Sequence, residues 1–120
     1  MRNKKILICD DDRDILEMLE IILEDSGLDT FTEPDSTILV DRIEENMPDL
    51  LLMDLWMPVI TGDEILKTLR SNDGIKNLPV IIMSAAQDGK LIATEAGADD
   101  YISKPFDIDV LIAKVKALIQ

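Results

Sequence analysis

Three short apolar runs stand out from the polar parts of the chain. They cover residues 6–9, 50–53 and 80–83. Short, continuously apolar runs are typical of strands that a parallel sheet buries on both faces. Residues 28–32 alternate between polar and apolar side chains instead, and the segment Tyr101-Ile102-Ser103 is brief. We predict that these last two segments form the edge strands of the same sheet.

Between the predicted strands, the apolar spacing changes to that of amphipathic helices. Three helix faces are formed by Ile15, Leu16, Leu19, Ile22 and Leu23, by Ile65, Leu66 and Leu69, and by Ile108, Leu111, Ile112, Val115 and Leu118. A further helix is predicted to be capped by Asp35 or Ser36 and to reach about Asn46. A shorter helix is predicted over residues 88–95, and Gly97 closes it.

Strands and helices therefore alternate five times along the chain. This order predicts an α/β fold, with a doubly wound parallel sheet of five strands and helices on both faces. We expect the flavodoxin-like strand order 2-1-3-4-5 for this (βα)5 arrangement. No repeat or linker interrupts the sequence, so one domain over residues 1–120 is expected.

Composition narrows the choice of function. The 120 residues carry 12 basic and 25 acidic side chains, a net charge of −13, which argues against direct binding to nucleic acid. The chain has no histidine, so Ser-His-Asp catalysis and a phosphohistidine carrier are excluded. Cys9 is the only cysteine and forms no internal disulfide. The first apolar run is too short for a signal peptide or a membrane span, so a cytoplasmic protein is expected.

Chemistry-bearing side chains follow the predicted strands directly. Parallel strands end at one edge of the sheet, and ligands bind there at the point where strand order reverses. Asp10, Asp11 and Asp54 should therefore converge on one pocket. Clustered carboxylates repel unless a cation intervenes, and an all-oxygen ligand set favours Mg²⁺. Asp54 is then a plausible nucleophile for phosphoryl transfer, Lys104 can neutralise the transferring group, and the Ser84 hydroxyl can donate a hydrogen bond to it.

The same residues carry a resemblance to a known family. The motifs are Asp10-Asp11, Asp54-Leu55-Trp56-Met57-Pro58 with Gly62, Ser84-Ala85, Ala96-Gly97-Ala98-Asp99-Asp100-Tyr101, and Lys104-Pro105-Phe106. Each motif is weak alone, but all of them occur in the right order, each at its own predicted strand end. The chain resembles the receiver domains of two-component response regulators over its whole length, with the chemotaxis regulator as the type example.

The resemblance assigns roles to the polar cluster. It implies that Asp54 is the phosphoacceptor and that Mg²⁺ is the cofactor. Asp11 would bind the metal directly and Asp10 through a water molecule, and Asp54 and the main-chain carbonyl of Trp56 would be further ligands. Lys104 would contact the phosphoryl group.

The resemblance also implies a conformational switch and a partner. Ser84 and Tyr101 would form the switch pair, and the bond between Lys104 and Pro105 would be cis. The phosphoryl donor would be a histidine kinase or a phosphotransfer protein. The chain would catalyse only its own phosphorylation and dephosphorylation, and would then control a downstream protein or output domain. Whether phosphorylation produces a homodimer is left open.

Three other functions compete with this interpretation. A small Mg²⁺-dependent phosphatase typically has a second acid two residues after its nucleophile, where this chain has Trp56. A flavin or nucleotide carrier needs a phosphate-binding loop after the first strand, where this chain has acidic residues. The strongest alternative is a degenerate receiver that acts only as a protein-binding module, although such a protein would usually have lost a site residue.

Overall fold

The computed structural model describes residues 3–120, in which five strands alternate with five α-helices. The strands are β1 (Lys5–Cys9), β2 (Asp29–Glu33), β3 (Leu50–Asp54), β4 (Val80–Ser84) and β5 (Asp100–Ser103). The helices are α1 (Arg13–Asp25), α2 (Leu39–Asn46), α3 (Gly62–Arg70), α4 (Gly89–Ala96) and α5 (Ile108–Ile119). Within residues 3–120, none of the helices combines the length and apolar character that crossing a bilayer requires.

All five strands join one parallel sheet in the order β2-β1-β3-β4-β5. The predicted fold class and strand order are confirmed, and the two segments predicted as edge strands lie at the two edges. Strands β1 and β3 are neighbours, with Cys9 paired to Met53. The residue that follows Cys9 and the residue that follows Met53 therefore leave the sheet side by side.

The core has two layers because successive strand side chains point to opposite faces of the sheet. One layer lies under α2, α3 and α4 and includes Leu7, Leu51 and Ile82. The other lies under α1 and α5 and includes Ile8 and Leu52. The central strands are buried on both faces, which explains why their sequences are continuously apolar.

The start of α2 differs from the sequence-based prediction. Asp35 does act as a cap, since its carboxylate accepts a hydrogen bond from the Thr37 N–H at 2.9 Å. The turn that it caps is a 3₁₀ helix (Ser36–Ile38), and α2 begins only at Leu39. A 3₁₀ turn at a helix N-terminus is a common variant, because its tighter hydrogen bonds satisfy the same backbone groups.

Gly62 places α3 directly against the end of β3. Its N–H donates to the Leu55 carbonyl oxygen at 2.7 Å. A Cβ atom at this position would lie 2.5 Å from the Asp54 carbonyl oxygen and 3.1 Å from the Leu55 Cα. Both neighbours are backbone atoms, so a side chain at position 62 would fit only if the end of β3 or the helix α3 moved.

Gly62→Ala should lower the free energy of unfolding by roughly 1–3 kcal/mol, the usual cost of overpacking. The sign is informative because alanine is otherwise the better helix former by about 1 kcal/mol. Urea denaturation measures the change. Gly74→Ala is the matched control: its Cβ would meet only the Asn72 side chain, at 3.5 Å, and a change within about 0.5 kcal/mol is expected. Equal stability of the two variants would contradict this close packing.

Candidate functional site

Two buried carboxylates lie at the point where the strand order of the sheet reverses. Asp10 follows β1 directly, and Asp54 is the last residue of β3. Only 1% of Asp10 and 7% of Asp54 is exposed, whereas Asp11 is exposed. Asp12, the next residue, is not part of this cluster. Its carboxylate caps α1 by accepting hydrogen bonds from the N–H groups of Asp14 and Ile15.

Lys104 joins the two buried carboxylates. Its ammonium nitrogen lies 2.8 Å from Asp10 Oδ2 and 3.0 Å from Asp54 Oδ1. The lysine follows β5, and its N–H donates to the Ser84 carbonyl oxygen at 2.9 Å, which fixes its backbone against β4. The Lys104–Pro105 peptide bond is cis. Three strand ends thus contribute to one charged cluster.

Burial and ion pairing shift the pKa values of this cluster. Burial raises the pKa of Asp54 above its ordinary value, and the Asp10 carboxylate adds to the increase, against the lowering effect of the Lys104 hydrogen bond. Burial would lower the pKa of Lys104, but hydrogen bonds to Asp10 and Asp54 outweigh it and the pKa is raised. Lys104 is therefore a firmly protonated cation beside a carboxylate that is costly to ionise.

The carboxylates are close enough to share a divalent cation. One oxygen from each of Asp10, Asp11 and Asp54 lies within 4.8 Å of the others. Three carboxylates without a nitrogen or sulfur ligand match the preference of Mg²⁺ for hard oxygen donors. The chemistry of the residues present therefore fits the implied metal. The Trp56 side chain is half exposed, and the proposed role of its carbonyl stays a prediction.

Ser84 is the last residue of β4, beside the charged cluster, and Tyr101 lies in the neighbouring strand β5. Residues of β4 that alternate with Ser84, such as Val80 and Ile82, belong to the core layer under α2, α3 and α4, and Tyr101 packs against that same layer. The Tyr101 hydroxyl donates to the Ser84 carbonyl oxygen at 2.9 Å. The Ser84 hydroxyl accepts a hydrogen bond from the Ala86 N–H at 3.0 Å. The predicted switch residues are in contact with each other.

The loop after Asp54 contains a strained residue that the sequence did not reveal. Val59 has a φ of +70°, in the left-handed region that β-branched residues rarely adopt. The Ile60 N–H donates to the Pro58 carbonyl oxygen at 2.8 Å, which closes a γ-turn around Val59. The Pro58 carbonyl also accepts a hydrogen bond from the Ser36 hydroxyl at 3.1 Å. Tertiary contact therefore holds a turn that local sequence preference disfavours.

Known sequences of one family match nearly the whole chain. The sequence model of the response regulator receiver domain matches residues 6–116. The chain is 38% identical over 116 residues to the DNA-binding response regulator MtrA of Mycobacterium tuberculosis, covering 95% of this chain and 50% of that protein. It is 39% identical over 118 residues to the transcriptional regulatory protein PrrA of the same species, covering 97% and 50%. The chain thus spans about half the length of these curated relatives.

Solved structures show the same fold. The chemotaxis response regulator CheY4 of Vibrio cholerae has a TM-score of 0.89 at 25% identity, covering 98% of this chain and 99% of that one. The receiver domain of the Francisella response regulator 1452 has a TM-score of 0.88 at 37% identity, covering 98% and 97%. Both likenesses extend over nearly the full length of each chain.

Val59→Asn should stabilise the protein by about 1 kcal/mol, because asparagine adopts a positive φ more readily than the β-branched valine. Urea denaturation measures the change. Val110→Asn makes the same substitution at an exposed valine within α5, where a change below about 0.5 kcal/mol is expected. An unchanged or lower stability of Val59→Asn would show that the turn around Val59 carries no strain.

Proposed function

The chain belongs to the response regulator receiver domain family, and on that premise we propose that Asp54 accepts a phosphoryl group from a histidine kinase or phosphotransfer protein. The observation that carries the proposal is the Lys104 ammonium held between Asp10 and Asp54 at the point of strand reversal. This contact places the cation beside a buried carboxylate, at the position in the sheet where proteins of this fold bind their ligands.

The proposed transfer uses Asp54 as the nucleophile. A carboxylate oxygen of Asp54 attacks the phosphorus of the donor's phosphohistidine, the phosphorus–nitrogen bond breaks, and the imidazole leaves with that electron pair. The product is an acyl phosphate on Asp54. Lys104 would move its hydrogen bond from the carboxylate to a phosphoryl oxygen, which would neutralise charge that develops during transfer.

Asp10, Asp11 and Asp54 would hold the magnesium ion, together with the Trp56 main-chain carbonyl. Bound there, the metal would supply charge neutralisation to the phosphoryl oxygens. The exposure of Asp11 supports this assignment, because it leaves one side of the carboxylate cluster open to solvent and to an entering ion. In this proposal, reversal of phosphorylation is hydrolysis of the acyl phosphate at the same site.

The surface beside Lys104 supports a protein, rather than a small molecule alone, as the phosphoryl donor. An apolar groove there is lined by Ile15, Met18, Phe106 and Ile108, and it reaches Lys104 itself. Met18 and Ile108 are 41% and 49% exposed, so apolar area is available to a binding protein. The overall charge of −13 favours a donor with a basic surface.

The Ser84–Tyr101 contact supports these residues as the proposed switch. Phosphorylation would bias an existing equilibrium between two conformations rather than create a new one. The Ser84 hydroxyl would donate to a phosphoryl oxygen, and Tyr101 would respond because its hydroxyl is hydrogen-bonded to the main chain of Ser84. The surface formed by α4, β5 and α5 would then present the change to a partner.

The degenerate receiver remains the second candidate, because an intact set of residues alone does not make a phosphoacceptor. MtrA is named a DNA-binding response regulator and PrrA a transcriptional regulatory protein, and each is about twice as long as this chain. The absence of direct nucleic-acid binding by this chain therefore stays a prediction. Its cytoplasmic location, its organisation as one domain and a homodimer formed on phosphorylation stay predictions as well.

Incubation with acetyl phosphate and Mg²⁺ should add one phosphoryl group to the wild-type protein, as measured by intact mass. Asp54→Asn should remain unmodified because it lacks the nucleophilic carboxylate. Asp12→Asn is the matched control: it removes a neighbouring acid that caps α1, and it should still be phosphorylated. Omission of Mg²⁺ should strongly reduce the added mass.

Absence of the added mass in the wild-type protein with Mg²⁺ and acetyl phosphate, with the fold intact, would favour the degenerate receiver. Phosphorylation of Asp54→Asn to the wild-type extent would place the phosphoryl group on another residue and contradict the assignment of Asp54.

A further inference from the structure

Gly89, the first residue of α4, packs against both proposed switch residues, Ser84 and Tyr101. A Cβ atom on Gly89 would lie 2.9 Å from the Tyr101 hydroxyl oxygen, 2.9 Å from the Ser84 Cβ and 3.0 Å from the Ser84 hydroxyl oxygen. Real Cβ atoms essentially never approach other heavy atoms to less than 3.0 Å. A side chain at position 89 and the present Tyr101–Ser84 contact are therefore mutually exclusive.

Backbone conformation does not explain this glycine. Among residues 3–120, the glycines with positive φ are Gly27 and Gly97, so Gly89 has no left-handed backbone that requires it. Alanine is the better helix former at an ordinary helical position. The glycine is instead explained by the atoms that its missing side chain admits, namely the hydroxyl of Tyr101 and the side chain of Ser84.

Hydrogen bonds connect the same residues into a continuous chain. The Ser84 carbonyl oxygen accepts from the Tyr101 hydroxyl, and the Ser84 hydroxyl accepts from the Ala86 N–H. The Ala86 carbonyl oxygen in turn accepts from the Gly89 N–H at 3.2 Å, at the start of α4. A movement of the Ser84 hydroxyl away from Ala86 would remove one of the contacts that position the first turn of α4.

We propose that Gly89 is a positioning residue that lets the Tyr101 hydroxyl reach the Ser84 carbonyl, so that the first turn of α4 and the orientation of Tyr101 move together. The link to signalling rests on the proposed function, in which Ser84 responds to a phosphoryl group on Asp54. Leu91 lies in the same turn and is exposed. It would shift with the turn, so a partner protein that contacts Leu91 would respond to the orientation of Tyr101.

Tyr101 is the only tyrosine in the chain, so 3-fluorotyrosine incorporation gives a single ¹⁹F resonance that reports its surroundings. The spectra are recorded without Mg²⁺ and without a phosphoryl donor. In Gly89→Ala, the resonance should move from its wild-type position toward that of the urea-unfolded protein. Its relaxation by a soluble gadolinium chelate should increase, because the ring becomes more exposed.

Gly74→Ala is the control, since its added Cβ makes only an ordinary contact, with the Asn72 side chain at 3.5 Å. Its ¹⁹F resonance should remain at the wild-type position. A folded Gly89→Ala protein whose resonance and relaxation match those of the wild type would overturn the proposal, because Tyr101 would then have kept its place despite the added side chain.

Tyr101→Phe covers the case in which Gly89→Ala does not fold, because it removes the hydroxyl that the new Cβ would meet. Folding of Gly89→Ala only in the Tyr101→Phe background would support the proposal, and failure to fold in both backgrounds would overturn it.

The ¹⁹F result does not depend on phosphorylation. A protein that fails to accept a phosphoryl group would contradict the proposed function but leave the role of Gly89 to be decided by these spectra.

Discussion

The Lys104 ammonium between Asp10 and Asp54 is the interaction on which the site depends. Two buried carboxylates at neighbouring strand ends repel each other, and burial makes Asp54 costly to ionise. Lys104 offsets this repulsion with contacts of 2.8 and 3.0 Å. The compensation is incomplete, since the pKa of Asp54 stays raised by burial and by the Asp10 charge. In the proposed function, a magnesium ion held by Asp10, Asp11 and Asp54 would supply the positive charge that Lys104 alone does not.

The charged cluster and the proposed switch residues continue different rows of side chains in the sheet. Asp54 is the continuation of Leu50 and Leu52, which face α1 and α5, whereas Ser84 continues a row that faces α4. The two sets meet at neighbouring strand ends, because Asp54 pairs with Met83, the residue before Ser84. The backbone of Ser84 connects them, because its carbonyl oxygen accepts hydrogen bonds from both the Lys104 N–H and the Tyr101 hydroxyl. In the proposed function, a charge change at Asp54 would reach the first turn of α4 through these hydrogen bonds.

Much of this arrangement could be predicted from the sequence, because it depends on simple periodicities. Continuous apolar runs located the central strands, and strand order then brought Asp10 and Asp54 together. Features that depend on tertiary distance could not be predicted in this way. The left-handed Val59 contradicts local preference, and nothing in the sequence shows that Gly89 faces the Tyr101 hydroxyl. The 3₁₀ turn before α2 was missed for a smaller reason, since the capping signal at Asp35 is the same for both helix types.

Phosphorylation of Asp54 would make one of the 25 acidic side chains chemically distinct from the rest. Borohydride reduces an acyl phosphate to an alcohol but leaves free carboxylates unchanged, so it marks the phosphorylated residue permanently. Treatment of the phosphorylated protein with borohydride, followed by peptide mass mapping, should convert Asp54 alone to homoserine. Homoserine at another acidic position, with Asp54 intact, would contradict the claim that the Lys104-paired carboxylate is the phosphoacceptor.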